Sequence, residues 1–475
     1  MHAEIKHTIN QSLEFVPTDE QRKLIDTLTD FTFSNLDTRS CLLLKGYAGT
    51  GKTSIIGAFV KALQAVRKPF VLLAPTGRAA KVLSLNANYR AFTIHKFIYR
   101  KKTLEGGKIT LALAPNLRKN CIFLVDEASM IGDYSIQNDG AVSSRNLLDD
   151  LIEFVYQNPS NRLIFIGDEG QLPPVGSDFS PALNLEYMQN HSFGISFMES
   201  KLTQVLRQTH DSLILTNATK LRKAFDEDHF PKFEVDKLEV IRITGAELQE
   251  ELESAYSHYG IEETIFITKS NKKALYYNGQ IRNRILWYEE DLCKNDSLMV
   301  VKNNYFWIEE QSVMGFIANG ETLKIVKVGK REELYGHQYV WATVSFVDYD
   351  ELGEVEVLLM LDILHNEQPT LNRNQQKELF FAIEEDYMDE RNKQKRYEKI
   401  MKNPYFNALQ VKFAYAVTCH KSQGGQWEAV FVDHGYILGE FSDESFNRWL
   451  YTAFTRAKTK LYLVGFDDRF YEDEL

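Results

Sequence analysis

Apolar runs of four or five residues, each bounded by polar positions, recur along the chain. They are Cys41–Leu44, Phe70–Ala74, Cys121–Val125, the stretch Arg162–Ile166 and Thr264–Thr268. Runs of this length read as strands buried in a sheet core. Helical spacing fills the intervals: Leu24, Ile25, Leu28 and Phe31 fall on one face, and Ser54–Val60 reads as a helix after the first apolar run and the loop that follows it. Strand and helix in alternation predict an α/β chain with parallel sheets. A different period appears later. Leu323/Ile325, Val340/Ala342/Val344/Phe346 and Val355/Val357/Leu359 alternate as half-buried strands do. Residues 371–402 follow as a long polar helical stretch that ends at Asn403–Pro404. Further strands are expected near 413–417, 429–432 and 460–464.

With 475 residues the chain exceeds one hydrophobic core, and two to four domains are expected. No apolar run approaches the length that spans a bilayer, and no signal-peptide pattern opens the sequence. The four cysteines lie far apart, with neither metal spacing nor a disulfide framework, which suits a reducing cytoplasm. The net charge of −11 argues mildly against a nucleic-acid partner, although a local groove can be basic within an acidic surface.

Chemistry concentrates where the apolar runs end. Gly46-Tyr47-Ala48-Gly49-Thr50-Gly51-Lys52-Thr53 lies between the first strand and its helix and fits the phosphate-cradling loop G-x-x-x-x-G-K-[ST]. Its glycines let backbone N–H groups turn onto phosphate oxygens. Lys52 can reach the outer phosphates of ATP and the Thr53 hydroxyl can ligate Mg²⁺. The third strand ends in Asp126-Glu127: Asp126 suits the Mg²⁺ shell and Glu127 suits activation of the attacking water. The fourth leads to Gly167-Asp168-Glu169-Gly170-Gln171-Leu172-Pro173-Pro174, whose Gln171 can sense a γ-phosphate. Gln21 has two readings. It completes a capping box with Thr18, or its amide pairs with the adenine edge.

Two loops suit a phosphodiester backbone. Pro75-Thr76-Gly77-Arg78 ends the second strand, and Thr93-Ile94-His95-Lys96 repeats the offer of hydroxyl and cation. Between 99 and 119, Gly106-Gly107 reads as a hairpin turn. Arg100, Lys101, Lys102, Lys108, Arg118 and Lys119 make this segment locally basic; it is a solvated loop or, on a motor that moves along nucleic acid, a pin that parts the strands of a duplex.

The phosphate loop, Asp126-Glu127-Ala128-Ser129 and Gly167-Asp168-x-x-Gln171-Leu172-Pro173-Pro174-Val175 resemble motifs I, II and III of superfamily 1 helicases, more narrowly of the RecD/Dda-like superfamily 1B group. Leu202–Gln208, Tyr415–Gly424 and Leu450–Lys458 resemble motifs IV, V and VI, so the resemblance runs in order from 46 to 458. It implies two RecA-like motor domains with ATP between them. Residues 1–98 and 120–200 would form the first and 201–320 and 410–475 the second. The hairpin would be 99–119, and an SH3-like β-barrel with a helical extension would occupy 321–409. It further implies Arg207 and Arg456 as arginine fingers, Gln426 where family members often carry a ribose-binding Glu, and Asn304, Thr418, His420 and Lys421 on DNA. The activity implied is ATP-dependent movement on single-stranded DNA, 5′ to 3′, with unwinding of tailed duplexes. A monomer without membrane association is expected, with replication or repair proteins as its partners. A P-loop switch or loader, or an RNA helicase, is the alternative.

Overall fold

The computed structural model describes residues 2–33, 39–103, 109–133, 146–191, 194–205, 212–226, 230–309, 311–435 and 443–471. Its first body takes in strands β1 (Ser40–Gly46), β2 (Phe70–Ala74), β3 (Ala91–Thr93), the pair β4 (Tyr99–Thr103) and β5 (Ile109–Leu113), then β6 (Ile122–Val125), β7 (Arg162–Gly167) and β8 (Ser196–Leu202). Six of these form one parallel sheet in the order β3-β2-β6-β7-β1-β8. The continuous apolar runs have a simple cause: both faces are covered. Leu42 and Leu44 pack with Leu24, Leu28 and Phe59 on one side, whereas Cys41 and Leu43 pack with Ile94, Phe123 and Leu163 on the other.

β4 and β5 pair antiparallel, from Tyr99 opposite Leu113 to Thr103 opposite Ile109. The predicted Gly106-Gly107 turn lies outside the described residues.

The second body uses β9 (Val240–Ile243), β10 (Thr264–Thr268), β11 (Ser297–Val300), β12 (Thr322–Leu334), β13 (His337–Phe346), β14 (Glu354–Met360), β15 (Leu409–Phe413), β16 (Ala416–Thr418), β17 (Trp427–Asp433) and β18 (Ala457–Val464). A second parallel sheet runs β16-β10-β17-β18-β9, and β11 to β15 close into a barrel. The predicted alternation is realised there: Leu323, Ile325, Val340, Val344, Val357 and Leu359 are fully buried inside. The expected strand at 413–417 is in fact two. β15 closes the barrel through Val411 and Phe413, and β16 joins the sheet. The chain turns between them, where the Asn278 amide oxygen accepts from both Tyr415 N (3.0 Å) and Ala416 N (2.8 Å). Both strands share a period of two, so the alternation runs unbroken across that turn.

The polar stretch after the barrel is likewise two helices, Arg373–Glu385 and Lys393–Met401. Leu379, Ile383 and Ile400 pack on the barrel's outer face against Leu358 and Met360. Among the described residues no helix is long and apolar enough to cross a membrane.

Candidate nucleotide and nucleic-acid site

β6, β7 and β1 are neighbours, so their carboxyl ends emerge side by side. In an open parallel sheet this is where ligands bind. β1 delivers the glycine loop, β6 delivers Asp126-Glu127 and β7 delivers Asp168 to Gln171. Gly49 and Gly51 take φ of 76° and 82°, the left-handed region that glycine enters without strain. Gly49 also lies against Leu215, which an added Cβ would meet at 3.2 Å. Lys52 opens the following helix, and its Nζ donates to the carbonyls of Gly46 and Tyr47 (2.9 Å to the latter). Thr53 on the next position is exposed.

Gln21 forms the capping box with Thr18: its N donates to Thr18 Oγ1 at 3.3 Å, and its Oε1 accepts from Thr18 N at 2.9 Å. Its Nε2 meanwhile donates to Thr50 O at 2.9 Å, and the residue is 1 % exposed. The amide therefore braces the glycine loop from the preceding helix.

Glu127 adopts φ 51°, an uncommon conformation for a residue with a side chain, of the kind that recurs where surrounding structure over-determines a functional group. Its N donates to Asp126 Oδ1 at 2.9 Å. Burial and the neighbouring Glu127 carboxylate push Asp126 up to about 7, partly offset by that hydrogen bond and by Lys52. A carboxylate under this pressure, with the Thr53 hydroxyl at the head of the P-loop helix, offers the hard oxygen donors that Mg²⁺ takes. Gln171 is 6 % exposed, and its Oε1 is buried with no hydrogen-bond partner among the described residues. An orphaned carbonyl oxygen there fits a water or phosphate hydroxyl that donates to it.

The second body closes over these loops. Helix Glu444–Phe454 brings the Tyr451 hydroxyl to Ala48 N (2.8 Å) and to Asp168 Oδ2 (2.6 Å). Thr452 Oγ1 accepts from Leu172 N at 2.8 Å, and Gln423 Nε2 donates to Leu172 O at 2.7 Å. The Arg222 guanidinium lies 4.3 Å over the Tyr47 ring. Sequence reasoning missed Tyr451, Thr452, Gln423 and Arg222 as site residues. Three of them, Tyr451, Thr452 and Gln423, sit inside quoted motifs, but nothing in their spacing names a partner in the other body.

The expected arginines fare differently. Arg207 lies outside the described residues. Arg456 is 3 % exposed and donates to Thr452 O (3.0 Å), Gly425 O (3.1 Å) and Thr455 Oγ1 (3.2 Å), all within its own body. The Gln426 side chain is exposed, and its carbonyl accepts from Arg78 Nη2 at 3.1 Å.

The loops chosen for DNA also meet across the two bodies. Thr76, following Pro75, caps helix Gly77–Ala87 by accepting from Ala79 N, and it lies against Gly424. Arg78 sits 4.4 Å over the Trp427 ring. Lys96 Nζ donates to Ser312 O at 3.0 Å, and burial holds His95 down to about 4, hence neutral. Thr418 and Lys421 line one cavity with Asn271, Lys412 and Phe413. Burial lowers both His420 and Lys421 from their ordinary values. The Asn304 amide donates to Asn407 O (2.8 Å) and accepts from Phe306 N (3.0 Å).

Comparison with known proteins gives two family matches. A model described as an AAA domain covers residues 18–234, and one described as a UvrD-like helicase C-terminal domain covers residues 413–464. An uncharacterized protein of Methanocaldococcus jannaschii is 25 % identical over 94 % of this chain, which spans 38 % of that protein's length. The ATP-dependent DNA helicase Pif1 of Campylobacter jejuni is 22 % identical, with 88 % of this chain and 86 % of that one covered. A solved structure of a Bacteroides Pif1 helicase with ADP-AlF3 and ssDNA aligns over 97 % of this chain and 95 % of that one, at 16 % identity and a TM-score of 0.48.

Proposed function

The chain belongs to the RecD/Pif1-like superfamily 1B helicases, and from that membership we propose that it is an ATP-driven motor on single-stranded DNA, moving 5′ to 3′ and unwinding tailed duplexes. The observation that carries the reading is the junction itself. A phosphate loop on one parallel sheet is gripped by a helix of a second, through Ala48 and Tyr451. A site divided in this way lets nucleotide turnover change the fit between two bodies, which is what stepping requires.

In this reading Lys52 and the loop N–H groups hold the β- and γ-phosphates. Thr53 and Asp126 hold Mg²⁺, which offsets phosphate charge. Glu127 takes the proton of the attacking water, and Gln171 orients that water through Oε1. Arg207 and Arg456 reach the γ-phosphate from the second body. Arg456 must first exchange the carbonyls of Gly425 and Thr452 for phosphate oxygens. Gln21 acts through the loop it braces, and Gln426 contacts the ribose once the cleft closes further. Pro75, Thr76, Arg78, His95, Lys96, Thr418, His420 and Lys421 line the path of the DNA. The β4–β5 hairpin is the separation pin, and the barrel flanks the motor units. The protein acts as a monomer in the cytoplasm.

ATPase activity measured with and without oligo-dT tests this directly. Stimulation by the single strand is expected. Turnover that ignores DNA would favour a switch or loader.

A further inference from the structure

Tyr451 carries a hydroxyl that three segments share, and no step above uses it. It is 1 % exposed. Ala48 N–H can only donate and the Asp168 carboxylate accepts, so the roles are forced: the Tyr451 oxygen accepts at 2.8 Å and its proton goes to Asp168 Oδ2 at 2.6 Å. Asp168, 2 % exposed, also accepts from Gly170 N at 2.9 Å, which sets the turn leading to Gln171. One residue along the same helix, Thr452 takes Leu172 N, while Gln423 holds Leu172 O. Gln171 is thus fixed on both sides by groups of the second body, and Ala48 within the phosphate loop is tied to the same oxygen. Resting on the ATPase reading above, we propose that Tyr451 is a positioning residue: its hydroxyl registers the glycine loop against Gln171 and transmits that register to helix Glu444–Phe454. It touches no reacting atom and acts through Ala48 and Asp168.

The test is a double-mutant cycle in the full chain, Tyr451→Phe, Asp168→Asn and the pair, with kcat and KM for ATP measured with and without oligo-dT. Tyr451→Phe keeps the ring and its packing. Asp168→Asn reaches the same contact from the other side if the phenylalanine variant proves unstable. Each single variant should lower kcat about tenfold or more, the scale of a misplaced catalytic group, with KM within about threefold of the parent. The pair should be little worse than either single variant, as for two members of one contact. Parent-like kcat in Tyr451→Phe, a loss confined to KM, or losses that multiply in the pair would each overturn the proposal. A parent enzyme without DNA stimulation would count against the motor reading alone, because the Tyr451 effect is also read in basal turnover.

Discussion

Gln21 separates two roles that a sequence leaves open. Gln21→Ala removes the donor to Thr50 O and the acceptor for Thr18 N, each at 2.9 Å, from a site that is 1 % exposed. A hydrogen bond of this kind contributes about 0.5–1.5 kcal/mol net, so two set a loss of about 1–3 kcal/mol. At about 1.4 kcal/mol per tenfold, the ceiling on weakened nucleotide binding is about 5- to 140-fold. The effect reaches that ceiling only if the loop is ordered solely in the bound state. Because the amide braces the loop, ATP and GTP should weaken together. Equilibrium titration with both nucleotides checks this, and the ratio of their Kd values should stay within about twofold of the parent. A loss specific to ATP, shifting that ratio about tenfold or more, would refute the bracing argument and assign Gln21 to the adenine edge.

Further outcomes follow from the same geometry. Lys52→Ala and Glu127→Gln should both abolish turnover, while only Glu127→Gln keeps near-parent ATP binding; single-turnover hydrolysis beside binding titrations separates them. Glu321 packs against Gly77 and the Tyr349 hydroxyl, and burial with the nearby Asp348 raises it from 4.5 to about 8. The folded state therefore binds the extra proton, and this stabilising contribution is complete below 4.5 and lost as pH rises through about 8. Glu321→Gln should accordingly gain Tm relative to the parent as the pH is raised from 6 to 9, and a constant difference across that range would contradict the assignment. Replacing Lys102–Leu111 by a short Gly-Ser turn should leave DNA-stimulated ATPase within a few-fold of the parent while duplex unwinding drops sharply.

What could be read from the sequence had local causes. The glycine loop is legible because its positive φ values and close approaches admit few residues, and Cys41–Leu44 is legible because a strand covered on both faces must be apolar throughout. The barrel announces itself where its inner face alternates with an outer one. What stayed hidden depends on distant partners. Tyr451 meets Ala48 across 403 positions and Asp168 across 283, and no local pattern encodes such pairs. The break between β15 and β16 is set by Asn278, far upstream, whereas the residues on either side keep one period. Asn304 and Arg456 carry donors that suit a ligand, yet in this structure backbone oxygens hold them. Side-chain type alone does not reveal that competition.

On the proposed function, ATP turnover between the two bodies drives directional movement on DNA. Strand displacement from duplexes bearing a 5′ or a 3′ single-stranded tail, with ATP and Mg²⁺ and with DNA set against RNA, tests it most directly. The expected result is ATP-dependent displacement of the 5′-tailed DNA duplex, with little from the 3′-tailed one and none in Glu127→Gln. Displacement that needs no ATP, or DNA-stimulated hydrolysis with no displacement from either tail, would contradict it.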